Sequence, residues 1–312
     1  MAPAMAARVL VGTCSWTDKT LLESGWYPPE ARTPADRLRY YALHFPIVEV
    51  DSSYYALPSP RNALLWAQRT PDAFVFDVKA FALFTHHPTP PRSLPRDIHD
   101  ALPPELKEKR NLYYRDLPTE LTDELWRRFV QSLEPLAMAG KLGVVLFQFP
   151  PWFQPRRESR QYIASLRERL PDFQVAVEFR QARWLADERD RQQTLRFLRE
   201  HRLPLACVDE PQGFSSSVPP LAEVTAPVAV VRFHGRNAET WEARGLTTAE
   251  RFNYLYSPEE LGEWVPRIRH MAQEAEEVHV LFNNCYRDYA VRNARQMAQA
   301  LGQPAGPQGP LL

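Results

Sequence analysis

The 312-residue chain carries 38 basic and 38 acidic residues, and 44% of its residues are hydrophobic. This balanced charge argues against a surface built as a whole for nucleic acid or an anionic membrane, and the hydrophobic fraction argues against a disordered chain. No run approaches the ~18 apolar residues of a membrane span, and the three scattered cysteines form no CxxC pair or disulfide framework, so we expect a cytoplasmic protein with no membrane partner.

Eight apolar segments with strand-like patterns follow one another along the chain. They cover residues 8–15, 47–51, 74–79, 142–149, 173–179, 205–209, 226–236 and 278–282. Strict alternation with helical patterns predicts parallel pairing, and eight such units of uniform composition predict an α/β protein with a single-domain (β/α)8 TIM barrel over residues 1–302. The rival is an open doubly wound sheet, but the segment after the first strand lacks the glycine-rich turn that holds a dinucleotide.

Helix starts between these strands have recognisable capping signals. Thr33, Ser59 and Ser257 each precede a proline, which is the expected order of an N-cap and a first helical residue. Further helices are predicted over 122–141, 158–170, 187–201 and 289–301.

Two segments depart from the repeating pattern. Residues 80–119 are long, irregular and rich in proline and charge, which is typical of a lid or binding loop, so we expect a lid-like insertion after strand 3. Residues 303–312 are rich in Pro and Gly, and we expect a disordered tail.

The seventh strand ends with chemistry-bearing residues. Val228, Val230, Arg232 and His234 share one side of it because side chains alternate faces. The sites of TIM barrels lie at the carboxyl ends of the strands, so we expect the polar side chains there to converge. The candidates, with the aromatic residues beside them, are Ser15, Trp16, Glu49, Tyr54, Lys79, Gln148, Glu178, Arg180, Asp209, Arg232, His234, Arg236, Asn283 and Asn284.

Several of these stretches resemble one known family, the domain-of-unknown-function 72 family. The matching motifs are Val11-Gly12-Thr13-Cys14-Ser15-Trp16, Val48-Glu49-Val50-Asp51-Ser52-Ser53-Tyr54-Tyr55, Phe84-Thr85-His86, Leu146-Phe147-Gln148-Phe149-Pro150-Pro151, Val177-Glu178-Phe179-Arg180, Val231-Arg232-Phe233-His234-Gly235-Arg236 and Phe282-Asn283-Asn284. The resemblance implies a TIM barrel and no particular reaction. The first motif departs from the commoner Gly-Thr-Ser-Gly-Trp form, since Cys14 and Ser15 replace Ser and Gly.

The polar set favours acid–base chemistry on a small anionic substrate. Lys79, Arg180, Arg232 and Arg236 suit a phosphate or carboxylate, and His86 would reach the site from the insertion. The proton-transfer candidates are Glu178, His234, Asp209 and Glu49, with Glu178 as base and His234 as acid or electrophile. No cofactor is firmly implied.

Four alternatives remain open at this point. Glu49, Glu178, Asp209 and His234 are suitable ligand types for a divalent metal, as in a metal-assisted phosphodiesterase. The aromatic residues and the basic stretch 107–115 suit nucleic acid. A third alternative is a barrel that binds a ligand without catalysis. In the fourth, the charged residues form a salt-bridge network that only fills the top of the barrel.

Overall fold

The computed structural model of the protein describes residues 7–303 and contains eight parallel strands. The strands are β1 Arg8–Thr13, β2 Ile47–Val50, β3 Val75–Lys79, β4 Leu142–Phe149, β5 Gln174–Phe179, β6 Ala206–Asp209, β7 Val228–Phe233 and β8 Glu277–Phe282. They pair in the order β5-β4-β3-β2-β1-β8-β7-β6. One bridge between Val177 and Leu205 joins the two ends, so the sheet is a nearly closed barrel, and the predicted TIM-barrel fold is confirmed.

The helices alternate with these strands. They are α1 Lys19–Glu23, α2 Pro34–His44, α3 Pro60–Gln68, α4 Arg96–Ala101, α5 Pro104–Lys107, α6 Thr119–Met138, α7 Arg157–Arg169, α8 Glu188–Glu200, α9 Thr248–Arg251, α10 Pro258–Glu274 and α11 Tyr289–Ala300. Thr33, Ser59 and Ser257 are N-caps whose side chains accept a backbone N–H, as predicted. Among residues 7–303, no helix is long and apolar enough to cross a bilayer.

One long helix lies three residues earlier than predicted. Helix α6 begins at Thr119, directly after Pro118, whose carbonyl accepts the first helical hydrogen bond. It ends at Met138. Gly140, two residues further on, takes a positive φ of 66°, with which the helix cannot continue. Lys141 therefore lies outside the helix, and its ammonium donates to the carbonyls of Ala67 in α3 and Thr70 in the loop after α3.

The segment between β3 and α6 is ordered and packs onto the main hydrophobic core of the barrel. It contains the short helices α4 and α5 and an antiparallel bridge between Thr89 and Leu112. Its buried leucines and isoleucine are Leu83, Leu94, Ile98, Leu102, Leu106, Leu112 and Leu117. The predicted insertion is thus an ordered segment whose apolar side chains extend the core of the barrel. The predicted disordered tail, 303–312, lies outside the described residues except Gln303, whose side chain donates to the Val9 carbonyl.

A buried histidine closes the amino-terminal base of the barrel. His279 Nδ1 lies 2.9 Å from Asp77 Oδ2, and its Nε2 lies 2.6 Å from Glu277 Oε1. Both ring nitrogens face carboxylates, so both donate and the ring is a cation. Burial alone lowers the pKa of His279, but Asp77 and Glu277 outweigh burial and raise that pKa to about 9.

Candidate functional site

Strand register decides which of the predicted side chains face the barrel interior. Gln148 pairs with Glu178. Arg232 of β7 pairs with Leu281 of β8, which lies in an interior cluster, and with Val208 of β6. Residues paired in register point to one face of a sheet, so Glu178 and Arg232 point inward together.

Arg232 binds two carboxylates at the centre of the barrel. Its Nε and Nη2 lie 3.0 and 2.6 Å from the two oxygens of Glu49, and its Nη1 donates to Glu178 Oε2. All three side chains have no exposed surface. We call these residues the Arg232 cluster. It joins β7 to β2 and β5 across the barrel. Glu49 and Arg232 therefore fit the fourth alternative given above, a salt-bridge network that fills the barrel.

His234 is held as a neutral imidazole above the Arg232 cluster. Its Nε2 lies 3.0 Å from Glu178 Oε1, and its Nδ1 lies 3.0 Å from the Asn283 amide nitrogen. The amide donates to Nδ1, so Nε2 carries the proton and donates to Glu178. Burial outweighs Glu178 and lowers the pKa of His234 to about 4.

Glu178 is an ionised carboxylate near the carboxyl ends of the strands, the end of the barrel that we call the mouth. Burial favours its protonated form, but Arg232 and His234 outweigh burial and hold its pKa well below the usual range. Gln148 Nε2 also donates to Glu178 Oε1 over 2.6 Å. A carboxylate this stable is a weak base, which disfavours the predicted role of Glu178 as base.

Lys79 is a partly exposed cation at the carboxyl end of β3, at the mouth of the barrel. Its Nζ lies 2.9 Å from Asp51 Oδ1 and 4.7 Å from the centre of the Tyr54 ring, and 12% of the side chain is exposed. Tyr54 packs edge-on against His87. Burial, together with the charges of Lys79 and Arg180, lowers the pKa of His87 to about 3. His87 therefore lies within the field of both mouth cations.

Arg180 is the second partly exposed cation of the mouth and is shared by two carboxylates. Its Nη1 lies 2.8 Å from Glu210 Oε2 and 3.5 Å from Glu178 Oε1, and its guanidinium lies 4.3 Å from the Trp241 ring centre. Only 14% of its side chain is exposed. Burial outweighs Arg180 and raises the pKa of Glu210 to about 8. Near neutral pH, Glu210 is therefore protonated while Glu178 is ionised.

Asp209 and Arg236 lie apart from the mouth, contrary to the prediction that they converge with Glu178. Arg236 binds Asp209 through two hydrogen bonds of 2.9 and 2.8 Å. Asp209 also accepts from the Tyr256 hydroxyl and the Trp264 indole of α10. The reason is register: Asp209 pairs with Phe233, which faces the helices.

Trp16 and Asn284 are also outside the mouth. The Trp16 ring packs edge-on against Trp66 and Phe76 between the sheet and the helices. Asn284 is fully buried, and its amide donates to Asn293 of α11 and to a backbone carbonyl. Asn284 follows the face of β8 that is turned toward the helices, whereas Trp16 lies beyond the end of β1, after the unusual backbone conformation of Ser15.

The remaining predicted residues divide between the rim and the insertion. Ser15 lies at the end of β1 with a φ of 150°, and its hydroxyl accepts the Thr17 N–H. His86 has a left-handed φ of 61° and turns toward Tyr114 and Tyr162. Its neighbour His87, and not His86, is the histidine near Lys79 and Arg180.

Sequence reasoning missed Glu210, although a signal for it exists. Val208 shares the face of Arg232, and side chains two residues apart lie on the same face of an extended chain. The inward acid after β6 is therefore Glu210 and not Asp209. Asp51 is one of the polar residues expected at the strand ends but not one of the site candidates, and Trp241 lies in a polar loop whose sequence has no period to place it.

The metal and nucleic-acid alternatives concern different parts of the molecule. In residues 7–303, no group of three His, Cys, Asp or Glu side chains is arranged to hold a metal ion, and Glu49 and Glu178 both bind Arg232. The basic stretch 107–115 lines two clefts of the insertion, and nucleic-acid binding there stays a prediction.

Comparison with known proteins gives consistent matches over nearly the whole chain. A family model described as "Protein of unknown function DUF72" matches residues 10–310. The UPF0759 protein YunF of Bacillus subtilis (strain 168) is 32% identical over 297 residues, or 94% of each chain. A DUF72 family protein from Enterococcus faecalis V583 has a solved structure with 28% identity and a TM-score of 0.77, covering 96% of this chain and 99% of that one. A DUF72 family structure from Thermotoga maritima MSB8 has 32% identity and a TM-score of 0.73, covering 95% and 100%.

Proposed function

The chain belongs to the DUF72 family of proteins of unknown function, and within it we propose that the barrel mouth binds a small anionic ligand and carries out acid–base chemistry on it. The observation that carries this proposal is the pair Glu178 and Glu210. Both approach the same guanidinium nitrogen of Arg180, yet their pKa values move in opposite directions. Two carboxylates with pKa values pushed apart are the usual signature of divided acid and base roles.

Arg180 and Lys79 are the groups suited to hold the anion. They are the partly exposed cations of the mouth, and aromatic rings back both of them. A protonated Glu210 leaves Arg180 only partly neutralised, since its other carboxylate, Glu178, is bound more closely by Arg232. A ligand phosphate or carboxylate near Arg180 therefore gains charge-assisted hydrogen bonds.

Glu210 and His234 are the groups suited to move protons. A Glu210 with a pKa about 8 holds a proton to donate near neutral pH. His234 is neutral, and its Nδ1 is a base that accepts a hydrogen bond from the Asn283 amide. A ligand group in place of that amide would reach Nδ1, and Glu178 at Nε2 would stabilise the imidazolium that forms. Glu178 then orients His234, a different role from the base predicted from sequence.

Binding is tested by thermal shift and calorimetry with inorganic phosphate, glycerol 3-phosphate, phosphoenolpyruvate, citrate and benzoate. We expect at least one to raise the melting temperature of the wild type. Arg180→Met and Lys79→Met should each weaken that ligand about tenfold, the usual effect of losing a charged hydrogen bond. Arg157→Met is the matched control, because Arg157 is exposed on α7 and remote from the mouth residues. Equal affinity in all four proteins would rule out the proposed anion site.

The proton-donor role of Glu210 is tested by infrared difference spectroscopy of the wild type against Glu210→Gln. The protonated carboxyl band should be present in the wild type at neutral pH, should fall to half its intensity near pH 8, and should be absent from the variant. Absence of the band at neutral pH would overturn the donor role while leaving the binding proposal to its own test.

A further inference from the structure

A concave surface lies on the insertion side of the molecule, and none of Lys79, Arg180 and Glu210 lines it. It is a cleft of about 670 Å³ between the insertion, the β4–α7 loop and the start of α7. This volume is in the range of small-molecule sites. We call it the Tyr114 cleft, and its lining comprises His86, Tyr113, Tyr114, Arg115, Trp152, Phe153, Gln154, Arg156, Glu158, Ser159 and Tyr162.

The aromatic wall of the Tyr114 cleft is fixed in place. The Tyr114 hydroxyl accepts from the Trp126 indole, and the Tyr162 hydroxyl donates to the Phe84 carbonyl. The His86 ring stacks near Tyr114 with centres 5.4 Å apart and meets Tyr162 edge-on at 4.5 Å. A rigid aromatic surface of this kind binds a flat ring at small entropic cost.

One polar atom in this wall has no partner. His86 Nε2 is buried and makes no hydrogen bond within residues 7–303, although the neighbouring tyrosine hydroxyls are both satisfied. Buried polar atoms in folded proteins are almost always hydrogen-bonded. Because Nε2 is covered by its neighbours, a polar atom of a bound ring supplies the missing partner once the His86 ring turns toward the cleft.

The rim of the cleft is suited to an anion. Arg115 and Arg156 are exposed and have no salt bridge among the described residues, and Glu158 is the one carboxylate in the lining. Helix α7 begins at this rim, and no side chain caps its first turn. Arginines beside an uncapped helix start favour a phosphate group.

From these observations we infer that the Tyr114 cleft is a binding site for a nucleoside monophosphate, with the base on the aromatic wall and the phosphate between Arg115 and Arg156. The site is separate from the mouth. His86 lines the cleft, while His87 lies within the field of Lys79. The Trp152 indole donates to the His86 carbonyl and packs edge-on against the His87 ring.

The test is calorimetry with adenosine 5′-monophosphate, adenosine and inorganic phosphate as probes. The nucleotide should bind with 1:1 stoichiometry and more tightly than either half. Arg156→Ala and Arg115→Ala should each weaken the nucleotide about tenfold and leave adenosine unchanged. Tyr113→Ala, which removes an exposed ring of the rim, should weaken the nucleotide and adenosine alike.

Two controls locate the site. Arg157→Ala removes the same charge one residue from Arg156 but outside the cleft lining, and it should bind the nucleotide as the wild type does. Lys79→Met alters only the mouth, so nucleotide binding should survive it. No saturable binding to the wild type, equal loss in Arg156→Ala and Arg157→Ala, or loss in Lys79→Met would each overturn the inference. Melting curves of the surface variants establish that they are folded.

Discussion

Ser15 holds a backbone conformation that suits glycine better than serine. Its φ of 150° lies in a region that L-residues rarely adopt, and the commoner form of the first family motif has glycine at this position. The strand end is fixed from both sides, because the Ser15 carbonyl accepts from Thr13 and the Ser15 hydroxyl accepts the Thr17 N–H. The strain is therefore imposed by the surrounding turn.

Comparison of Ser15→Gly with Ser15→Ala isolates this strain. Both variants lose the hydroxyl that binds Thr17, but only glycine relieves the backbone. We expect the free energy of unfolding of Ser15→Gly, measured by urea denaturation, to be about 1 kcal/mol higher than that of Ser15→Ala. Equal stability of the two variants would show that the conformation carries no strain.

Arg232 is a second residue whose environment predicts a large effect. Its removal leaves Glu49 and Glu178 buried without a counter-charge, so Arg232→Met should lower the free energy of unfolding by about 3–5 kcal/mol. The control is Arg199→Met, whose partner Glu223 is 36% exposed, with an expected loss below about 1 kcal/mol. Losses of equal size in urea unfolding would contradict the central role of the Arg232 cluster.

At the scale of elements, β3 and β4 approach closely at the base of the barrel. A Cβ on Gly143 would lie 2.2 Å from Asp77 Oδ1 and 2.9 Å from His279 Cε1. Asp77 cannot move away freely, since its Oδ1 also accepts the Val144 N–H over 2.8 Å. The glycine is therefore required by the interior and not by a turn.

Gly143→Ala should consequently destabilise the protein by about 3 kcal/mol or more. Gly262→Ala is the matched control, because Gly262 is inside α10 with no atom within 4 Å of its added Cβ. That change should be neutral or stabilising by up to about 1 kcal/mol. Thermal unfolding of both variants measures the contrast, and a mild effect at Gly143 would mean that the two strands can separate.

The strands and helices were largely predictable from the sequence, but the side of the sheet to which each side chain points was not. Alternating apolar segments and proline-marked N-caps were enough for eight strands and their helices. Asp209 shows the difficulty, because a strand buried on both faces gives no alternation to tell inside from outside. Glu210 was missed for this reason. His87 was missed for a different one, because it follows a 3-10 turn of the insertion, where no strand alternation assigns faces.

At the scale of the whole molecule, the charged ring of His279 links folding stability to pH. The groups facing it are Asp77 from β3 and Glu277 from its own strand, and Arg8 binds Glu277 at the surface. The folded-state pKa of His279, about 9, exceeds its ordinary value of 6.5. Its contribution is therefore complete below about pH 6.5 and is lost as the pH rises through 9.

We expect the free energy of unfolding to fall by on the order of 3 kcal/mol between those pH values. Buried carboxyls with raised pKa values, Glu210 and Asp18, add a loss in the same direction. The difference between the wild type and His279→Gln isolates the histidine, since the variant keeps the carboxyls. Urea unfolding at several pH values measures it, and parallel curves for the two proteins would exclude a charged His279.

The depth of the Arg232 cluster sets how far a ligand can enter this barrel. With the middle of the barrel filled by a guanidinium and two carboxylates, a ligand of the mouth can rest only on top of this layer. The loops above the layer must therefore supply the walls that select the ligand.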